Sequence, residues 1–242
     1  MKRETGQAVE AIEYTVRRSR RRRRTMAITV DTEGAVRVAA PIHVSSAAVA
    51  AFVQARASWI EKQRAASRAR PTVPKRFVDG ESLFFLGREY ALRIHAGTNR
   101  HTEVRLEGCA LAISVPQRHD TSEARTAAVV TGLEGWYRRE AERVIGNRIL
   151  HYQQRVGVQP KALRISNAKR QWGSCGPGGS IRISWRLVMA PLSLIDYVVV
   201  HELCHLRHSN HGPPFWCLVG TILPDYESLR GLLRREGDRY AI

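Results

Sequence analysis

Apolar and polar positions alternate in short stretches through the first half of the chain and then change to helical periodicity. Val9, Ala11, Tyr14 and Val16 alternate as in a weak strand; Met26, Ile28 and Val30, a turn at Asp31 to Gly34, and then Val36 and Val38 predict a hairpin closed by Pro41. Ser45 is placed to cap a helix running to about Arg68, with Val49, Phe52, Val53, Arg56 and Ile60 at helical spacing. A basic, proline-containing linker (67 to 76) precedes short strands at 82–85, 89–95, 103–106 and 110–115, separated by turns at Gly87, Gly97 to Asn99 and Gly108. From Thr121 to about Val156 one long amphipathic helix is predicted, stopped by Gly157 and Pro160; Gly132, Gly135 and Gly146 weaken it and allow a kink. A strand from Leu163 to Ser166, a loop from Ala168 to Gly179, and a strand from Ser180 to Leu187 with Ile181, Ile183 and Trp185 on one face lead into an apolar helix over Ile195 to Leu206. A short apolar helix (215–223) and an amphipathic helix opening at Pro224 end the pattern, which is that of an α+β protein with a basic β-rich region over 1–118 and a second domain over 119–242.

Charge changes this picture more than overall composition does. Thirty-nine Lys and Arg against 22 Asp and Glu give a net charge of +17, which favours polyanions such as nucleic acid or anionic lipid. Seven of the arginines lie in one run from Arg17 to Arg24, where they offer non-specific phosphate contact or simply a solvated loop. No apolar run reaches the length of a membrane span, and the amino terminus lacks the apolar centre of a secretory signal, so a cytoplasmic protein is expected. Cys109, Cys175, Cys204 and Cys217 form no CxxC pair, which also fits a reducing compartment.

The chemistry concentrates in VVVHELCHLRHSNHGPPFWC, Val198 to Cys217. His201 and His205, four apart on a helix, stand one above the other on one face and can bind one ion. Glu202 leans beside that face, where it can act as general base without being a ligand, the arrangement of HExxH metallopeptidases. A third ligand is required: His208 would lie in line along the rod, two turns from His201, whereas Asn210, Gly212 and Pro213 allow the chain to turn and bring His211 back to the ion. His201, His205 and His211 are therefore the expected ligands.

The segments QWGSC (171–175), IRISWRLVMAP (181–191), IDYVVVHELCHLRHSNHGPPFW (195–216) and PDY (224–226) resemble the YgjP-like metallopeptidase family, itself related to SprT-like zinc proteases. The family has Arg where Gln171 stands, Asn where Ser184 stands and often Ser where Gly212 stands, departures that spare every expected ligand. The resemblance implies a zincin-like fold over 119–242, one Zn2+ ion on His201, His205 and His211, and Glu202 as catalytic acid and base in hydrolysis of peptide bonds. It further suggests that an edge strand beside the metal helix pairs with extended substrate, a role expected here for Ser180, Ile181, Arg182, Ile183, Ser184 and Trp185. An alternative is a nucleic-acid-associated protein whose zinc site is structural, closed by a fourth protein ligand such as Cys175 or His208.

Overall fold

A computed structural model describes residues 4–5, 12–20, 22–31, 34–68, 75–117, 121–169 and 171–240. The expected alternation over Val9 and Ala11, and Arg21 within the arginine run, fall outside them. The chain divides into two compact units, Met1–Val73 and Pro74–Ile242.

In the first unit, β1 (Glu4–Thr5), β2 (Tyr14–Ser19), β3 (Ala27–Val30) and β4 (Val36–Pro41) form a sheet in the order β1-β2-β4-β3. β3 and β4 are the expected hairpin, paired from Ala27–Ala39 to Val30–Val36. Alternate residues Tyr14, Val16, Val36, Val38 and Ala40 turn inward and share a core with Val49, Val53 and Ile60. Those last three belong to two helices where one was expected, α1 (Ser46–Gln54) and α2 (Ala57–Arg68), separated at Ala55 and Arg56. Ser45 caps α1 by accepting from the Ala48 N–H at 3.2 Å.

The second unit opens with β5 (Ser82–Phe85), β6 (Arg88–Gly97), β7 (Glu103–Glu107) and β8 (Ala110–Pro116), in the order β5-β6-β8-β7. The expected boundary at 118/119 falls inside this unit. Its cause is burial: the inward residues Leu83, Phe85, Leu92, Leu111 and Ile113 join one core with Val129, Leu133, Trp136 and Tyr137 of the long helix α3 (Ser122–Val156). Each large apolar side chain so removed from water contributes about 2 kcal/mol, which a division at 118/119 would forfeit.

α3 runs unbroken for 35 residues despite its three glycines, from the Thr121 cap to Gly157 in the left-handed conformation at φ 72°. Its later half packs against α4 (Leu192–Cys204), the apolar helix that carries HELCH, and the two are clamped by Arg148, whose Nε and Nη2 donate to Asp196 Oδ1 and Oδ2 at 2.5 and 2.9 Å. Tyr152 Oη also donates to Asp196 Oδ2, at 3.2 Å.

Between α3 and α4 in sequence, β9 (Ala162–Ser166), β10 (Gly173–Cys175) and β11 (Ser180–Ser184) form a small sheet in the order β10-β11-β9. Two expectations change here. The stretch 168–179 contains a strand, β10, and the strand expected to reach Leu187 stops at Ser184, where Trp185 to Met189 wind into a buried 3₁₀ turn. The remaining helices are α5 (Pro213–Ile222) and α6 (Tyr226–Glu236). Among the described residues no helix is long and apolar enough to cross a membrane.

Candidate metal centre

α4 is apolar on every side, and nine of its 13 residues are buried, including Glu202 at 5 % exposure. A carboxylate placed in such a helix is held where water cannot reach it freely, and burial pushes Glu202 up to about 7. The helix ends at Cys204, earlier than the expected turn at Asn210. Among the described residues Asn210 is not one of those with positive φ, so no left-handed residue makes the reversal. The return is made by an irregular stretch in which Asn210 Oδ1 accepts from the Gly212 N–H at 3.3 Å, before Pro213 opens α5.

That path brings His211 back over the helix. The Nε2 atoms of His201, His205 and His211 form a near-equilateral triangle with sides of 3.2, 3.1 and 3.0 Å. Four-coordinate zinc with Zn–N bonds of about 2.0–2.1 Å requires ligand nitrogens about 3.3 Å apart, so the triangle fits such an ion after a shift of a few tenths of an ångström. His205 Nδ1 lies 3.0 Å from the backbone carbonyl of His208, to which it donates, and that bond leaves Nε2 with its lone pair free. His208 thus contributes its main chain to the site, not its ring. Burial, aided by His205, His211 and Arg230, pushes His201 down to about 3, and burial with His205 and Arg230 lowers His211, so both rings are neutral and able to donate electron pairs.

The triangle rests on aromatic rings. Phe215 is fully buried, with its centroid 4.6, 4.8 and 5.0 Å from those of His205, His211 and His201. Trp216 stacks on His211 at 5.6 Å, Tyr226 stacks on Trp216 at 5.4 Å, and the Arg230 guanidinium lies 4.5 Å over the Trp216 ring. His211 is exposed and sits on a loop, and this stack holds its ring in place.

Among the described residues the cluster able to hold a metal comprises His201, His205 and His211; Glu202, Cys175 and His208 do not join it. Neither Cys175 nor His208, the residues expected as a fourth protein ligand of a structural site, thus stands with the three histidines. The buried side-chain polar atoms without a hydrogen-bond partner among the described residues are His201 Nδ1 and Glu202 Oε2, both in this site. A buried, unpartnered carboxylate oxygen is costly, and its presence beside the triangle fits a proton transfer partner that is not part of the chain.

The expected substrate strand is corrected by the sheet. β11 is central: Ser180 to Ser184 pair with Ala162 to Ser166 on one side, and Ile181 to Ile183 pair with β10 on the other, so its backbone has no free edge. Ile181, Ile183 and Trp185 are buried core residues, and Ser184 Oγ donates to the Ala168 carbonyl at 2.7 Å. The edge strands are β9 and β10, and β10 is the one that packs against α4. Ser184 N–H donates to the Trp172 carbonyl and Gly176 N–H to the Ser180 carbonyl, at 2.8 and 2.9 Å, which fixes Trp172, Ser174 and Gly176 as the residues bonded to β11. Gly173 and Cys175 therefore direct their N–H and C=O groups outward. A Cβ on Gly173 would meet Glu202 Oε1, Cγ and Cδ at 2.6, 2.7 and 2.8 Å, so the strand and the carboxylate are in van der Waals contact only because residue 173 has no side chain. Burial raises the Cys175 thiol, with the Glu202 charge adding to the effect.

Three features of the site carry no sequence signal of their own. Nothing in the pattern distinguishes Arg230 from the other arginines of the last helix, β10 is only three residues long, and the Phe215–Trp216 pair reads as ordinary core.

Comparison with known proteins places the chain in a family. A solved structure, the metallopeptidase zymogen abylysin of Pyrococcus abyssi, matches with 21% sequence identity over 37% of this chain and 93% of its own, at a TM-score of 0.34. No curated protein matches the chain. The family model described as YgjP-like, metallopeptidase domain, matches residues 24–236. Extending over nearly the whole sequence, this match shows that the chain belongs to the YgjP-like metallopeptidase family, whose activity implies a divalent metal and protein or peptide substrates.

Proposed function

We propose that the chain is a zinc peptidase in which His201, His205 and His211 hold the ion and Glu202 is the general base. The observation that carries this is the triangle of three Nε2 atoms, 3.0 to 3.2 Å apart, beside a buried carboxylate with one unpartnered oxygen. Zinc bound there supplies Lewis acidity, lowering the pKa of a water to about 7 and polarising the scissile carbonyl. Glu202, whose carboxyl burial raises to about 7, takes a proton from the attacking water as its oxygen bonds to the scissile carbonyl carbon, and passes that proton to the amine nitrogen as the C–N bond breaks. Phe215 and the α4 side chains exclude bulk water from the inner side of the histidines. The outward N–H and C=O groups of Gly173 and Cys175 pair with an extended peptide, which selects for backbone conformation more than for sequence and brings a carbonyl alongside Glu202.

The test is metal analysis of the purified parent and of Glu202→Gln, followed by a broad peptide-cleavage screen. One zinc per chain in both proteins, with turnover lowered about 10²–10⁴-fold in the variant, is the expected result. A Glu202→Gln protein that cleaves like the parent would exclude the general base, and a His201→Ala protein that keeps its zinc would exclude the ligand set.

A further inference from the structure

The arginine run belongs to the first unit, which folds it into a surface of its own. β2 ends at Ser19 beside Pro41, and β3 begins at Ala27 beside Ala39 on the opposite side of β4, so the connection between the two strands crosses the end of β4. The crossing carries Arg20, Arg22, Arg23 and Arg24. Among the described residues none of these four has a carboxylate partner, and Arg22 donates to Thr25 Oγ1 at 3.4 Å. The crossing runs directly into one wall of an open groove of about 240 Å³, formed by Met26, Ala27 and Ile28; Phe52, Arg56 and Trp59 form the other wall. Only two chain steps separate Arg24 from Met26, so their Cα atoms lie within about 7.6 Å of each other.

The groove has a definite chemistry. No carboxylate lines it, and Glu61 on α2 is engaged by Arg64 at 3.1 Å. The Arg56 guanidinium covers the Phe52 ring at 4.4 Å, while Trp59 is left 44% exposed. An aromatic ring and a planar cation side by side, next to further arginines, form a platform on which a flat, electron-rich ring can stack. At about 240 Å³ and open on one side, the groove is smaller than the enclosed pockets of about 300 Å³ and above that take small molecules, and room for one base is what it offers.

We infer that this surface binds single-stranded nucleic acid, one base stacking on Trp59 in the groove while Arg22, Arg23 and Arg24 hold the neighbouring phosphates. The combination selects among anionic partners. A duplex offers the same phosphates but hides its base faces in the stack. A bilayer would reward several free apolar side chains, yet Phe52 is already capped by Arg56, and among the described residues of this unit the large apolar side chains left exposed are just Ile42 and Trp59.

The experiment is fluorescence anisotropy with the chain of Met1–Ile242 and a labelled oligo(dT) of about 16 nucleotides, the upper end of single-strand site sizes. A duplex of equal length and vesicles of phosphatidylserine and phosphatidylcholine serve as rival probes. Trp59→Ala is expected to weaken oligo(dT) binding about 5- to 150-fold with an unchanged salt dependence, Trp59→Phe to restore most of it, and the triple change of Arg22, Arg23 and Arg24 to Ala to reduce the slope of log K against log salt by about 2. Equal affinity for duplex and single strand, an oligo(dT) affinity indifferent to Trp59→Ala, an unchanged slope in the triple variant, or binding to vesicles but not to oligo(dT) would each overturn the inference. Trp59 is exposed, so its replacement leaves the fold available for the comparison.

Discussion

Gly173→Ala isolates the position of Glu202, the proposed general base, from every other part of the site. Gly173 does not have a positive φ, so alanine suits its backbone conformation, and the effect of the substitution comes from the methyl group alone. That methyl would stand 2.6 Å from Glu202 Oε1, 2.7 Å from Cγ and 2.8 Å from Cδ. Ordinary contact requires about 3.5 Å, so strand and carboxylate must separate by about 0.8 Å. The clash involves the stem of the side chain as well as its tip, and at 5% exposure Glu202 cannot swing into solvent to avoid it. A misplacement near 1 Å reduces turnover by about 10²-fold, and overpacking of this kind destabilises by about 1–3 kcal/mol. The three atoms nearest the added methyl all belong to Glu202 and none to a histidine, so zinc should remain at one per chain. The assay is kcat with a peptide found by screening, alongside metal analysis, for Gly173→Ala, Glu202→Gln and the double variant. If the glycine acts through the carboxylate, the double variant is no slower than Glu202→Gln alone. Parental turnover in Gly173→Ala, or a double variant slowed by the full product of the two effects, would refute the argument.

Cys175→Pro removes an outward N–H without taking a bond from the β10–β11 ladder; it is expected to lower kcat/KM about tenfold or more with zinc intact, whereas Ile183→Pro, in the central strand, should compromise folding as measured by circular dichroism. With the metal chelated, Glu202→Gln should be more stable than the parent at pH 8. The native carboxyl is raised from 4.5 to about 7, so the parent's stabilisation from the protonated form is complete below pH 4.5 and is lost as pH rises through 7; the advantage of Gln should approach 3 kcal/mol at pH 8 and fade by pH 4 in urea unfolding, and an advantage that grows on acidification would contradict the burial. Arg148→Met leaves Asp196, 13% exposed, facing only Tyr152; a loss of about 2 kcal/mol in urea unfolding is expected, and a loss below about 0.5 kcal/mol would show that the α3–α4 clamp contributes little.

Much of this architecture is legible in residue order because the governing interactions are local. The 3.6-residue stripe of α3, its Thr121 cap and Gly157 stop, and the alternation in β5 to β8 are each set by neighbours a few positions away. The i, i+4 pairing of His201 and His205 is local in the same sense, and His211 followed from the breakers after it, although the turn is made without the left-handed Asn that suggested it. What could not be read depends on contacts distant in sequence. The unit boundary at 73/74 is decided by strands 82–116 packing against α3. That β10 and not β11 is the edge strand against α4 is decided by the order of the sheet, and β10 has too few residues for an alternating pattern. Gly173 meets Glu202 across 29 positions, and no propensity records that approach.

The shortness of β10 has a consequence for the protein's behaviour in crowded solution. An unprotected strand margin invites copies of the same chain to add to it, and a long flat one is a nucleus for aggregates. Here the outward backbone groups come from just Gly173 and Cys175, because Gly176 turns the chain back to β11. Two residues suffice to register the extended peptide of the proposed function and are too few to template a stack of the chain's own kind, so such a berth can stay open without the protein becoming its own ligand.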